Sequence, residues 1–142
     1  MKPIRQWPKA TKITLIVLAS YIVVFAPGFV YSFAKLHEVK KAFRGYSDQL
    51  IAADYEKAYD TTGPQFQAAI SKQDFIAQQT SLCSHHGSLE KVSIGSAEIE
   101  VNEFTLSATL NTTFKYERSA ERFDFVMKRY DGRWQIYGYK EQ

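Results

Sequence analysis

Cys83 is the only cysteine in a chain of 142 residues, so no disulfide can form within it. The fold has to stand on buried apolar side chains alone. That absence does not fix a compartment, because a domain of this size does not depend on disulfides. Charge of one sign is also missing once the N-terminus is set aside. Lys2, Arg5, Lys9 and Lys12 put four positive charges and no acid in the first twelve residues, which leaves 14 basic against 15 acidic side chains beyond them. A nearly neutral domain has no electrostatic footprint for nucleic acid, and no nucleic-acid partner is expected. What is plentiful is aromatic: nine Tyr and ten Phe supply a packed core and argue against disorder.

Charge is lacking most completely between Ile13 and Ala34, 22 residues in a row. As a helix that run would reach roughly 33 Å, about one hydrocarbon thickness. Trp7 before it and Tyr31 near its far end suit the interfacial aromatic belts. Pro27-Gly28 would bend the segment. The basic start, the apolar run Ile13 to Ala26, the Pro-Gly break and Ser32-Phe33-Ala34 also fit a cleaved signal peptide. Phe29, Val30, Tyr31 and Phe33 are too apolar for the usual cleavage region, which favours a retained anchor. A secreted soluble domain cut behind Ala34 is the alternative. A buried core helix does not fit, because the run has no polar face.

Lys and Arg number four on each side of the span, the later four being Lys35, Lys40, Lys41 and Arg44. The positive-inside count is tied, and the short, wholly basic tail is the end expected in the cytoplasm. The expected order is a cytoplasmic tail (1–12), a transmembrane helix or signal peptide (13–34), a stalk (35–41) and an extracytoplasmic domain (42–142).

Beyond the membrane run, Leu36 to Asp60 reads as a helix, with Phe43, Tyr46, Leu50 and Ala53 at steps of three and four. Gly45 is its weak point, where a linker would give way to the domain. Thr61-Thr62-Gly63-Pro64 should close it, with Gly63 in the left-handed position. A short helix from Gln65 to Ile70 follows, and then Ser71-Lys72-Gln73-Asp74 caps a helix reaching about Leu82.

From Leu89 the period becomes two. Apolar residues occupy every even position but Thr112 from Phe104 to Tyr116, and Phe123, Phe125 and Met127 share a face in the next strand. Asp131-Gly132 is a hairpin signal leading into Arg133 to Lys140. In the first strand Val92 and Ile94 are even but Ala97, Ile99 and Val101 are odd, so a bulge at Gly95-Ser96 or a break into two strands is required. Helices first and four antiparallel strands after make an α+β layer fold, about three helices on a curved sheet.

"LIAADYEKAYDTTGPQFQAAISKQDFIAQQ", followed by strands ending in "YDGRWQIYGYK", resembles the nuclear transport factor two-like, or cystatin-like cone, superfamily. The resemblance covers about Ala42 to Lys140 and is specific for fold rather than function. It implies a cone lined by aromatics. The superfamily holds enzymes, ligand carriers and noncatalytic assembly modules. Its membrane-anchored members include scaffold subunits of type IV secretion machines and small bacterial proteins of uncharacterised role.

Tyr46, Tyr55, Tyr59, Phe75 and Trp134 are the aromatic candidates for lining such a cavity. A cavity enzyme, a small hydrolase or isomerase, would need a base, and Asp54, Asp60 and Asp124 lie near aromatic positions. None of them aligns with a catalytic position of that family. "LCSHHGS" is the only stretch that reads as chemistry, with Cys83, His85 and His86 as weak metal ligands and a weaker Cys83–His nucleophile pair. The competing reading is a polar loop after a helix. Asn111-Thr112-Thr113 matches a glycosylation acceptor but falls in mid-strand. No cofactor and no catalytic residue is assigned, and the reading leans away from an enzyme. The expectation is a single-pass membrane protein whose domain is a binding or assembly module. Its partners would be the bilayer through Ile13 to Ala34 and a protein, or a second copy, through the sheet.

Overall fold

Helix α1 occupies residues 33–51 of the computed structural model, which describes residues 31, 33–102 and 105–142. Val39, Phe43, Tyr46 and Leu50 recur at steps of four, three and four, so they form one stripe, and all are buried. The domain is a compact unit from Leu36 to Gln142. From Leu36 on, the segment expected as a stalk is therefore the start of a core helix. Val39, between Glu38 and Lys40, extends the apolar stripe one turn ahead of Phe43. Gly45, expected to interrupt, sits inside α1 with open space around it.

The helix expected over Leu36 to Asp60 is two helices. At the end of α1 the Ala53 N–H donates to the Leu50 carbonyl at 3.0 Å and the Asp54 N–H to the Gln49 carbonyl at 2.9 Å. With Ala53 left-handed at φ 56, this is a Schellman closure built on alanine instead of glycine. Asp54 then caps α2 (Tyr55–Asp60), one carboxylate oxygen accepting the Lys57 backbone N–H at 3.4 Å and the other the Lys57 ammonium at 2.6 Å. Gly63 does not take the left-handed position but is extended, with φ −79. Its requirement is space. A Cβ there would lie 3.0 Å from the Ile136 carbonyl oxygen, to which the Gly63 N–H itself donates at 2.8 Å. Thr62 bridges Ile136 in the same place, joining the loop to the sheet.

Pro64 opens α3 (Pro64–Ala69), where its missing N–H costs nothing. The Ser71 hydroxyl accepts the Asp74 N–H at 3.1 Å and starts α4 (Lys72–His86). That helix runs a turn beyond Leu82 and stops at Gly87, φ 84.

The four strands β1 (Leu89–Asn102), β2 (Thr105–Tyr116), β3 (Ala120–Tyr130) and β4 (Arg133–Glu141) pair antiparallel in chain order, leaving β1 and β4 as edges. The architecture is α+β, helices packed on one four-stranded sheet. β1 is continuous, and its register shifts between Ile94 and Ser96, so Gly95 is the extra residue that carries the apolar row from even to odd positions. A second shift in β1 falls between Leu89 and Lys91, and a third lies opposite Val126/Met127 and leaves Tyr137 unpaired in β4. Trp134 and Ile136 are buried with the core before it, and Tyr139 packs on the core after it. Asp131 and Gly132 both have positive φ, 46 and 79, as a tight type I′ hairpin needs. Thr112, the exception to the alternation, is fully buried and donates to the Phe123 carbonyl at 2.9 Å.

Among the described residues no helix is long and apolar enough to cross a membrane. The tail over 1–12, nearly all of the apolar run 13–34 and Phe104 lie outside the described residues.

Candidate functional site

Between α1, α4 and the sheet lies a narrow cleft walled by Tyr46, Gln79, Leu82, Tyr116, Phe125 and Tyr139, among others. Only about 10 Å³ of it is open to the centre of a water-sized sphere, room for about one water molecule. Aromatic packing closes the rest. Phe125 sits 5.0 Å from Phe43, 5.9 Å from Tyr46, 5.6 Å from Phe114 and 5.1 Å from Tyr139, ring centre to ring centre. These are favourable edge and offset contacts, and they fill the volume that a small-molecule site would need.

The cleft's polar groups are phenols. Burial, with Tyr139 and Tyr116 beside it, pushes the Tyr46 hydroxyl well above the ordinary tyrosine range. Burial also raises Tyr116, with smaller contributions from Cys83 and Glu121. Tyr139 is raised by burial, partly offset by its hydrogen bond to Gln78 Oε1 at 3.0 Å. Hydroxyls held neutral in this way can donate hydrogen bonds, but they cannot serve as bases near neutral pH.

The sequence candidates scatter. Tyr46 lines the cleft. Tyr59 and Phe75 pack with Phe66 in the same core but outside the cleft lining, and the Tyr59 hydroxyl donates to the Ile70 carbonyl at 2.7 Å, closing α3. Trp134 is buried, and its Nε1 has no hydrogen-bond partner among the described residues. Tyr55 meets Cys83 Sγ at 3.2 Å, and burial followed by that contact pushes its hydroxyl up to about 12. Tyr116, Tyr139, Gln79 and Leu82 were not singled out from the sequence. Tyr116 could have been found as the last inward position of β2, whereas the bulge at Tyr137 hides the phase of Tyr139.

"LCSHHGS" is the last turn of α4 rather than a loop. His85 turns back to its own helix, Nδ1 lying 2.9 Å from the Ser81 carbonyl. His86 points the other way, to the β2–β3 turn, where Ser119 Oγ lies 2.8 Å and Glu121 Oε1 3.6 Å from Nδ1. Serine, histidine and acid together suggest a nucleophilic triad, but both oxygens approach the same ring nitrogen. A triad needs the acid on the nitrogen opposite the hydroxyl. The group is a structural latch, reinforced by the Arg118 N–H donating to the His86 carbonyl at 2.9 Å and the Glu117 N–H to Ser88 at 3.1 Å. Among the described residues no three His, Cys, Asp or Glu side chains gather as metal ligands.

The three acids weighed as bases are engaged elsewhere. Asp54 is held below the usual carboxylate range by its hydrogen bond to Lys57. Asp60 pairs with Lys72 at 2.6 Å. Asp124 accepts from Asn111 Nδ2 at 3.0 Å and Gln142 Nε2 at 2.6 Å. It alternates with the inward Phe123 and Phe125, which puts it on the far face of the sheet.

No family model matches the chain, and neither does any curated protein. Among solved structures it is similar to a Campylobacter jejuni protein described as an NTF2-like transpeptidase. The identity is 11%, over 68% of this chain and 94% of that one, with a TM-score of 0.49. A likeness that faint decides neither the fold nor the chemistry of this chain.

Proposed function

We propose that the chain is a single-pass membrane protein that holds an NTF2-like domain outside the cytoplasmic membrane as a noncatalytic binding or assembly module. The observation behind this reading is an uncharged run of anchor length ahead of a domain whose interior is packed with aromatic side chains. A cavity enzyme needs a substrate volume and a titratable group facing it. The cleft offers neutral phenols around a space the size of one water. The basic tail is assigned to the cytoplasm and the domain to the periplasmic or extracellular side.

Carbonate extraction of membranes from the producing cell, combined with protease treatment of intact spheroplasts, tests both parts. The chain should stay in the membrane pellet, and the protease should remove the domain. Release into the supernatant with a new N-terminus at Lys35 would establish the cleaved form. Full protection of the domain would overturn the orientation.

A further inference from the structure

A groove of about 200 Å³, roomier than the cleft, lies between α1 and β1. Phe43, Val92 and Ile94 line it on the apolar side, with Ser93 beside them and Lys40 and Arg44 on the helix. Among the described residues neither cation has an ion-pair partner. The surface it exposes is mostly polar, and two cations without an ion-pair partner among the described residues at its rim favour an anionic occupant.

Two features of the wall narrow the class. β1 is an edge strand, so every second residue directs its N–H and C=O away from β2. Its register is regular over Lys91 to Ile94, between the two irregularities. An extended peptide can add there as a further strand. The cations also have a matching repeat. Lys40 and Arg44 are one helical turn apart, a rise of about 6 Å. Alternate side chains of a strand are about 6.7 Å apart and share a face.

We infer that this groove binds an extended peptide of a partner protein carrying two acidic residues separated by one position. The peptide pairs with the edge of β1 over Lys91 to Ile94, and its carboxylates meet Lys40 and Arg44. The bulge at Gly95 limits pairing to about four residues, so the contact is short and readily reversible. The inference rests on the binding-module reading and gives it a partner chemistry.

Fluorescence anisotropy with the full chain in nonionic detergent tests it. The probe is a labelled nine-residue Thr/Val peptide with two glutamates one residue apart, and the control has glutamine at both positions. The glutamate peptide should bind about tenfold more tightly than the control, a difference of about 1.4 kcal/mol. Added salt should erode that difference. The double variant Lys40→Gln, Arg44→Gln should abolish it while leaving the circular dichroism unchanged, since neither side chain is in the core. Equal binding of both peptides, no binding, or an unaffected double variant would overturn the inference. Self-association that excludes the peptide would assign the groove to a second copy and overturn it too. A chain that resists carbonate extraction yet ignores the peptides sinks this inference alone. A chain that leaves the pellet sinks the anchoring alone.

Discussion

Phe125→Ala probes the packing that closes the interior. Phe125 is 3% exposed and touches rings from α1, β2, β3 and β4, so no single element can move in to fill the gap. Truncating a buried phenylalanine costs about 3–5 kcal/mol, the upper end applying where the site cannot collapse. That is a large part of the 5–15 kcal/mol that stabilises a typical domain. At about 4 °C or more per kcal/mol for a domain near 100 residues, the melting temperature should fall by roughly 12 °C or more. Urea denaturation gives the free energy directly. Phe125→Leu, which keeps most of the volume, should lose less than about 1.5 kcal/mol. A double-mutant cycle with Phe43→Ala should return a coupling of about 0.5–1.5 kcal/mol for the edge contact at 5.0 Å. The emptied site should bind benzene or xenon, as apolar cavities do. A loss below about 1.5 kcal/mol for the alanine variant would mean that the interior is not closed by this cluster, and the argument against a cavity site would fail with it.

Glycine and alanine positions should respond in opposite ways. Gly45→Ala, in an exposed helix interior with open space, should stabilise by about 0.5–1 kcal/mol, whereas Gly63→Ala should destabilise by about 1 kcal/mol or more against the Ile136 carbonyl; thermal denaturation reads both. Ala53→Gly should stabilise by about 1 kcal/mol because it relieves a left-handed alanine, and a melting temperature that falls instead would refute the Schellman closure of α1. Ser71→Ala should lose about 1 kcal/mol with the cap of α4, measured by urea denaturation. In alkali, Tyr46, Tyr55 and Tyr116 have hydroxyls raised above 10.0 in the folded state, so the neutral form favours folding. That stability is complete below pH 10; the Tyr55 share is lost as pH rises through about 12, and the Tyr46 and Tyr116 shares at higher pH. Part of the phenolate absorbance should therefore appear only as the ellipticity collapses, and full ionisation of all tyrosines with the fold intact would contradict the burial.

Layer architecture was legible in the residues because it depends on periodicity and turn chemistry. The alternation of β2, the Asp131-Gly132 turn, the Ser71 cap and the phase change at Gly95 each have a local cause visible in one short segment. What stayed hidden depended on distant partners. Gly63 reads as a helix terminator, and only its closeness to Ile136 shows that space is the requirement. Ala53 takes a glycine's conformation without glycine's signature. Tyr59 and Phe75 are aromatics on the right helices, yet they pack around Phe66, away from the cleft lining. His85 and His86 look like a pair in sequence, but the helix separates them by about 100°. The groove could not be read at all, because Lys40 and Arg44 meet Val92 to Ile94 only through the fold.

That this domain binds through its α1–β1 surface, with its interior closed, is tested most directly by hydrogen–deuterium exchange of the full chain with and without the di-glutamate peptide. Slowed exchange should be confined to the amides of Lys91 to Ile94 and to α1 around Lys40 and Arg44. Slowing at Gln79, Leu82 and Tyr139 around the cleft, with none along β1, would contradict the claim and return the interior as the working site.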